Sequence, residues 1–106
     1  MKDCIFCKIG NGEIPSPKLF ENDEFFCVRD IQPTAKTHLL VIPKQHVSGL
    51  DSVFENAPGL TEKLFKTSVE IARAQGLLPG GYRSVINTGK EGGQTVFHLH
   101  LHLMKD

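Results

Sequence analysis

Residues 96–104 read Val-Phe-His-Leu-His-Leu-His-Leu-Met. The alternation has the period of two that belongs to a β-strand, and it predicts a strand over 96–104. His98, His100 and His102 then share one face, and Leu99, Leu101 and Leu103 the other. The leucine face belongs to a core. The histidine face is expected outside it, because three adjacent imidazoles need polar partners that an apolar interior lacks. Such a face reads as a solvated polar surface, as a metal site or as a catalytic site. At ~3.3 Å per residue, His98 and His102 lie ~13 Å apart along the strand. A zinc–nitrogen bond is only ~2.0–2.1 Å, so an adjacent pair could share an ion more readily than all three rings.

Outward from this strand, residues 88–93 (TGKEGG) form a glycine-rich loop and 82–87 (YRSVIN) another strand. Residues 60–75 are the one long helix. Leu60, Leu64, Phe65, Ile71 and Ala72 recur at helical spacing and form its expected buried stripe, and Gly76 ends it. Ser52-Val-Phe-Glu55 fits a capping box and predicts a short helix. The continuous apolar run 38–43 (HLLVIP) predicts a strand covered on both faces. Residues 18–22 and 24–29 (EFFCVR) read as a hairpin turned at Asn22-Asp23, and 10–17 and 30–36 as connections. Adjacent strands around one long helix indicate an α+β fold with a mainly antiparallel sheet.

Composition bounds the function. A chain of 106 residues makes one domain. Twelve Lys plus Arg balance twelve Asp plus Glu, which argues against a nucleic-acid coat and its clustered positive charge. No apolar run approaches the ~18 residues of a membrane span. Residues 1–9 lack the apolar core of a signal peptide, so the expected location is cytoplasmic. Three Cys do not make a disulfide scaffold. The conspicuous count is five His, three of them in the last nine residues.

A row of imidazoles beside a glycine-rich loop suits phosphate chemistry. One neutral His can attack phosphorus while its neighbours donate hydrogen bonds to the phosphoryl oxygens. Backbone N–H groups of Gly92, Gly93 and Gln94 would form an anion-binding nest. Imidazole also exchanges protons near neutral pH, as a leaving group requires.

Gly93-Gln-Thr-Val-Phe-His-Leu-His-Leu-His-Leu resembles the signature of the histidine triad (HIT) nucleotide-binding proteins, in which three His alternate with apolar residues. Cys4-Ile-Phe-Cys-Lys-Ile, Arg29-Asp-Ile, Thr37-His-Leu-Leu-Val-Ile-Pro-Lys-Gln-His46 and Tyr82-Arg-Ser-Val-Ile-Asn87 resemble further blocks of that family, in the same order. The resemblance is nearest to the Hint-type purine-nucleoside phosphoramidases of the zinc-bearing bacterial form. It implies a mainly antiparallel five-stranded sheet with one long and one or two short helices.

The resemblance also implies roles. His100 would attack the α-phosphorus of a purine nucleotide and form a nucleotidyl-histidine, which water then releases as the monophosphate. His102 and His38 would orient and neutralise the phosphate, and Thr95 would stand near the leaving group. Gly93, Gln94, Thr95 and Val96 belong to the matching phosphate block. Asp30 would hold the ribose hydroxyls, and Ile5, Phe6 and Ile31 the base. Asn87 matches the Hint branch, where dinucleoside-polyphosphate hydrolases usually carry Gln. Taken singly, Asp30 also reads as a turn former, Asn87 as a strand-end cap, Ile5, Phe6 and Ile31 as core, and His38 as a core or rim residue.

Cys4-x-x-Cys7 has metal-ligand spacing and also reads as a redox pair or as two small hydrophobes. Two further ligands would complete a tetrahedral zinc, and His46 and His98 occupy the positions that the resemblance implies. That zinc would be structural. Cys27, in an apolar strand, reads as a buried hydrophobe. The resemblance further implies a two-fold homodimer that binds AMP or a nucleoside phosphoramidate. The family usually continues past the triad with a basic segment. Here Met104-Lys105-Asp106 follow Leu103, so tail contacts that select the leaving group are expected to be missing. A dinucleoside-polyphosphate hydrolase and a zinc-stabilised nucleotide-binding module with little turnover are the alternative functions.

Overall fold

The computed structural model describes residues 3–106. In chain order it contains α1 (Ile5–Gly10), β1 (Phe20–Glu21), β2 (Phe25–Arg29), β3 (Thr37–Pro43), α2 (Leu50–Asn56), α3 (Leu60–Ala74), β4 (Arg83–Val85) and β5 (Leu101–Lys105). The strands form one antiparallel sheet in the order β1-β2-β3-β5-β4. The expected α+β class, with its five strands, long helix and two short helices, is the one observed. No helix among the described residues is long and apolar enough to cross a membrane.

The central strands of the sheet are covered on both faces, and the period-two alternation of β2, β3 and β5 sorts the side chains between them. Phe25, Cys27, Leu39, Val41, Leu101 and Leu103 pack with Val53 of α2 and with Leu60, Leu64, Ile71 and Ala72 of α3. Phe26, Val28, Leu40 and Ile42 pack on the other face with Phe6 and Ile9 of α1. β3 is therefore the doubly covered strand its sequence announces. Cys27 is fully buried, and burial pushes its thiol up to about 12. The β1–β2 hairpin turns at Asn22, whose side-chain carbonyl accepts from the N–H groups of Glu24 and Phe25.

The last strand is shorter than its alternation predicts. Ladder pairing of β3 with β5 starts at Val41 opposite Leu101, and Pro43 has no N–H to extend it. Residues 96–100 instead bend off the sheet, and the Leu99 N–H donates to the Val47 carbonyl at 2.7 Å. Alternation survives the departure, because Leu99 remains in the core.

The histidine face is not outside the core. His98 is wholly buried, and His100 and His38 nearly so. The cause is α1, which the sequence reading missed and which roofs this face. Its closeness is visible at Gly10, where a Cβ would come within 3.0 Å of the Phe26 ring.

Two helix details also differ from expectation. Ser52 is not the N-cap of α2. The helix starts at Leu50, and the Ser52 hydroxyl donates back to the Gly49 carbonyl. Phe65 is not in the buried stripe of α3, which runs through Leu60, Leu64, Thr67, Ser68, Ile71 and Ala72. One residue of rotation turns Phe65 out to 48% exposure, in line with Val69 one turn later.

Candidate active site and metal centre

The sheet register brings the nitrogen ligands and bases together. Leu40 of β3 pairs with His102, and His38 with Met104, so His38 and His102 are diagonal neighbours on the α1 face. His38 Nε2 lies 2.8 Å from His102 Nδ1 and 3.3 Å from Asp30 Oδ2. The Thr34 N–H donates to His38 Nδ1 at 3.1 Å, which puts the His38 proton on Nε2. That proton is given to His102 Nδ1, so neutral His102 carries its own on Nε2. Burial, then the neighbouring rings of His100 and His38, lower the His102 pKa to about 4.

The same logic fixes His100 in the opposite tautomer. Its Nδ1 lies 2.7 Å from the His98 carbonyl, which can only accept. Nδ1 therefore holds the proton and Nε2 the lone pair. Burial is the main cause that lowers the His100 pKa, so the ring is neutral near pH 7. The Phe6 ring meets His100 edge-on at 5.1 Å between centroids and limits its rotation.

A groove of about 480 Å³ opens over these rings. Ile5, Phe6, Ile31 and Val96 supply apolar walls, and Asp30, Thr95, His100 and His102 polar ones. Ile31 is 93% exposed, an aliphatic surface that a bound ligand would cover. Asp30 does two things. Its Oδ1 makes the turn by accepting from the Gln32 N–H, and Oδ2 is left facing the histidines.

Four predicted residues do not line the groove: His38, which meets His102 by hydrogen bond, and Asn87, Gly93 and Gln94. Asn87 donates to the Gly92 carbonyl, and so fastens the loop after β4. Gln94 is buried, with its amide committed to Gly89, Ser48 and Val96. Gly93 supplies a left-handed turn at φ 89°. The expected nest is absent as well. The N–H groups of Gly92, Gly93 and Gln94 all donate to carbonyls of Gly89 or Lys90 inside the loop.

On the other side of His98 lies a second cluster. Cys4 is the N-cap of α1, and its Sγ accepts from the Cys7 N–H. One helical turn thereby aims both sulfurs at the bend before β5. The Val47–Leu99 hydrogen bond sets His46 beside His98. His98 Nε2 donates to the Pro43 carbonyl at 2.7 Å, leaving the Nδ1 lone pair free for the cluster. Cys4 Sγ lies 3.2 Å, Cys7 Sγ 3.6 Å and His46 Nδ1 3.2 Å from that nitrogen, and Cys7 Sγ lies 3.4 Å from His46 Nδ1.

A tetrahedron with zinc–sulfur bonds of about 2.3 Å and zinc–nitrogen bonds of about 2.0–2.1 Å has edges of about 3.3–3.8 Å. The cluster fits zinc in both composition and dimensions. Burial pushes the Cys7 thiol up and the His98 ring down to about 4, so a bound cation would have to displace the thiol proton but would meet an unprotonated imidazole.

Four similarities bear on this arrangement. A family model described as scavenger mRNA decapping enzyme C-term binding matches residues 3–106. Protein HitA of Neisseria gonorrhoeae is 47% identical over 104 residues, covering 98% of this chain and 96% of that protein. A HIT family hydrolase from Legionella pneumophila has a similar structure, with TM-score 0.91, 43% identity and coverage of 97% and 92% of the two chains. A Zn-bound histidine triad family protein from Mycobacterium smegmatis is similar at TM-score 0.85 and 37% identity, covering 97% of this chain and 74% of that one. With sequence, fold and the triad in agreement, the chain belongs to the histidine triad (HIT) family.

Proposed function

We propose that the protein binds purine nucleotides and hydrolyses nucleoside phosphoramidates through a nucleotidyl intermediate on His100. The observation that carries this reading is the His100 tautomer. The His98 carbonyl takes the Nδ1 proton at 2.7 Å, and the unprotonated Nε2 belongs to a residue that lines the groove. A phosphorus–nitrogen bond forms from Nε2 as the bond to the leaving nitrogen breaks, and that nitrogen takes a proton from solvent water at the open side of the groove to depart as the neutral amine. His102, with its proton on Nε2, donates to a phosphoryl oxygen, where charge shifts during transfer. His38 holds His102 in that tautomer, and Thr95 stands at the leaving-group side. Water then cleaves the phosphorus–nitrogen bond to His100 and releases the monophosphate. The Asp30 Oδ2 holds the ribose, and Ile5, Phe6, Ile31 and Val96 enclose the base. The loop locked by Asn87, Gly93 and Gln94 positions Thr95.

Cys4, Cys7, His46 and His98 would hold a structural zinc. Such an ion supplies folding free energy, and all four ligands are protein atoms, which leaves no open position for substrate. A hydrolase and a Zn-bound protein among the similar structures support both parts of the reading. A two-fold homodimer is supported by the edge strand β4 and by Phe65, Val69, Ile86 and Leu101, which line an open apolar hollow beside it. Three free thiols suit a reducing cytoplasm.

The test is single-turnover incubation with adenosine 5′-phosphoramidate and, separately, a dinucleoside polyphosphate. The parent is expected to release AMP faster from the phosphoramidate and to yield an acid-labile adduct. His100→Ala is expected to bind AMP and give neither. Equal turnover by both proteins would remove His100 from the chemistry.

A further inference from the structure

We propose that Asp30, His38 and His102 form a second metal site, shaped for divalent copper and separate from the cysteine–histidine cluster. Three ligand atoms converge there: Asp30 Oδ2, His38 Nε2 and His102 Nδ1. Their separations are 2.8 Å between the nitrogens, 3.3 Å from Oδ2 to His38 and 4.0 Å from Oδ2 to His102. A triangle with those sides has a circumscribed radius of about 2.0 Å, the length of a bond from a first-row transition metal to imidazole or carboxylate. An ion at that centre is within bonding distance of all three atoms.

The angles choose the metal. Seen from the centre of that triangle the three atoms subtend about 90°, 110° and 160°, which is three corners of a distorted square and not part of a tetrahedron. Tetragonal nitrogen and oxygen sites favour copper(II), the strongest binder of the divalent series, with nickel(II) second. The cysteine–histidine cluster has the opposite character, with two soft sulfurs and edges near tetrahedral. The fold thus keeps two sites of different preference on either side of His100.

The site is held and reachable. His38 and His102 stand on adjacent strands, and the Gln32 N–H fixes Asp30 through Oδ1. Asp30 and His102 line the groove, so an ion can enter from solvent. Ligation asks for one rearrangement. The lone pair of His38 Nε2 must face the metal, so the proton moves to Nδ1 and the Thr34 N–H contact opens. Residues 31–34 are exposed, which confines that change to a surface turn.

One consequence rests on the nucleotide reading above. The ion takes the Asp30 oxygen assigned there to ribose, so copper and nucleoside exclude each other.

The experiment titrates copper(II) into protein already saturated with zinc, followed by electron paramagnetic resonance. The expected result is one further equivalent per chain, with a tetragonal signal coupled to two nitrogens. Loss of an outer-shell partner alone weakens a metal by about 10–100-fold, so Asp30→Asn and His38→Gln are each expected to weaken copper by at least about 100-fold. Nickel(II), which does not oxidise thiols, is expected to bind in the same order across the variants. Saturating adenosine is expected to weaken copper in the parent. No second equivalent, a signal lost to reduction at the thiols, or affinity unchanged in both variants overturns the site. Copper bound at these residues but indifferent to adenosine supports the site and overturns Asp30 as the ribose carboxylate.

Discussion

At His100 a backbone acceptor and at His102 a side-chain donor decide which nitrogen holds the proton, and the two rings come out opposite. His100 presents a lone pair and His102 an N–H. The pH dependence follows from burial. The His100 pKa is lowered from its ordinary value, so the acid limb of nucleotidyl transfer is expected below pH 6.5, measured as the single-turnover rate against pH. Stability has a related dependence. The His102 pKa falls from about 6.5 unfolded to about 4 folded, so between those values the unfolded chain binds the extra proton. The contribution of His102 is complete above pH 6.5 and is lost as pH falls toward 4. Urea midpoints are expected to drop across that window, and by less in His102→Asn.

Among the elements, α1 couples the two halves of the site. Cys4 and Cys7 face the metal cluster, while Ile5 and Phe6 between them wall the groove. Stripping the metal is therefore expected to weaken AMP binding as well as lower the melting temperature. Hydrogen exchange should show protection lost first over residues 5–10, because six residues do not hold a helix unaided. Unchanged exchange there after chelation would detach the metal from the groove. At β5, Leu103 is fully buried between β3 and the helices, and Leu103→Ala is expected to cost about 2–5 kcal/mol by urea unfolding.

For the whole molecule, the proposed two-fold contact sits on the β4 edge, where Phe65 and Val69 are exposed beside Ile86. Val69→Lys places a charge in that hollow and is expected to shift a dimer to monomer in sedimentation, leaving the melting curve of the isolated subunit nearly unchanged. The pattern of the sheet was legible in the chain, because period-two alternation and covered apolar runs are local properties of residues 24–29, 38–43 and 96–104. The long helix was legible for the same reason, down to Gly76 at its end. The histidine row was also plain in the sequence, and with it the family. What the sequence could not decide was which face is roofed. The lid α1 is six residues with a cysteine cap, too short to show a helical period, and only its packing on Phe26 and Ile42 buries the histidines. Pro43 likewise ends the ladder through a pairing between residues far apart in the chain. The residue types and their alternation came from the sequence. The resemblance already divides the five histidines between a proposed metal cluster and phosphate chemistry, and the tertiary structure decided their tautomers and separations, because these depend on carbonyls, N–H groups and sulfurs brought from other segments.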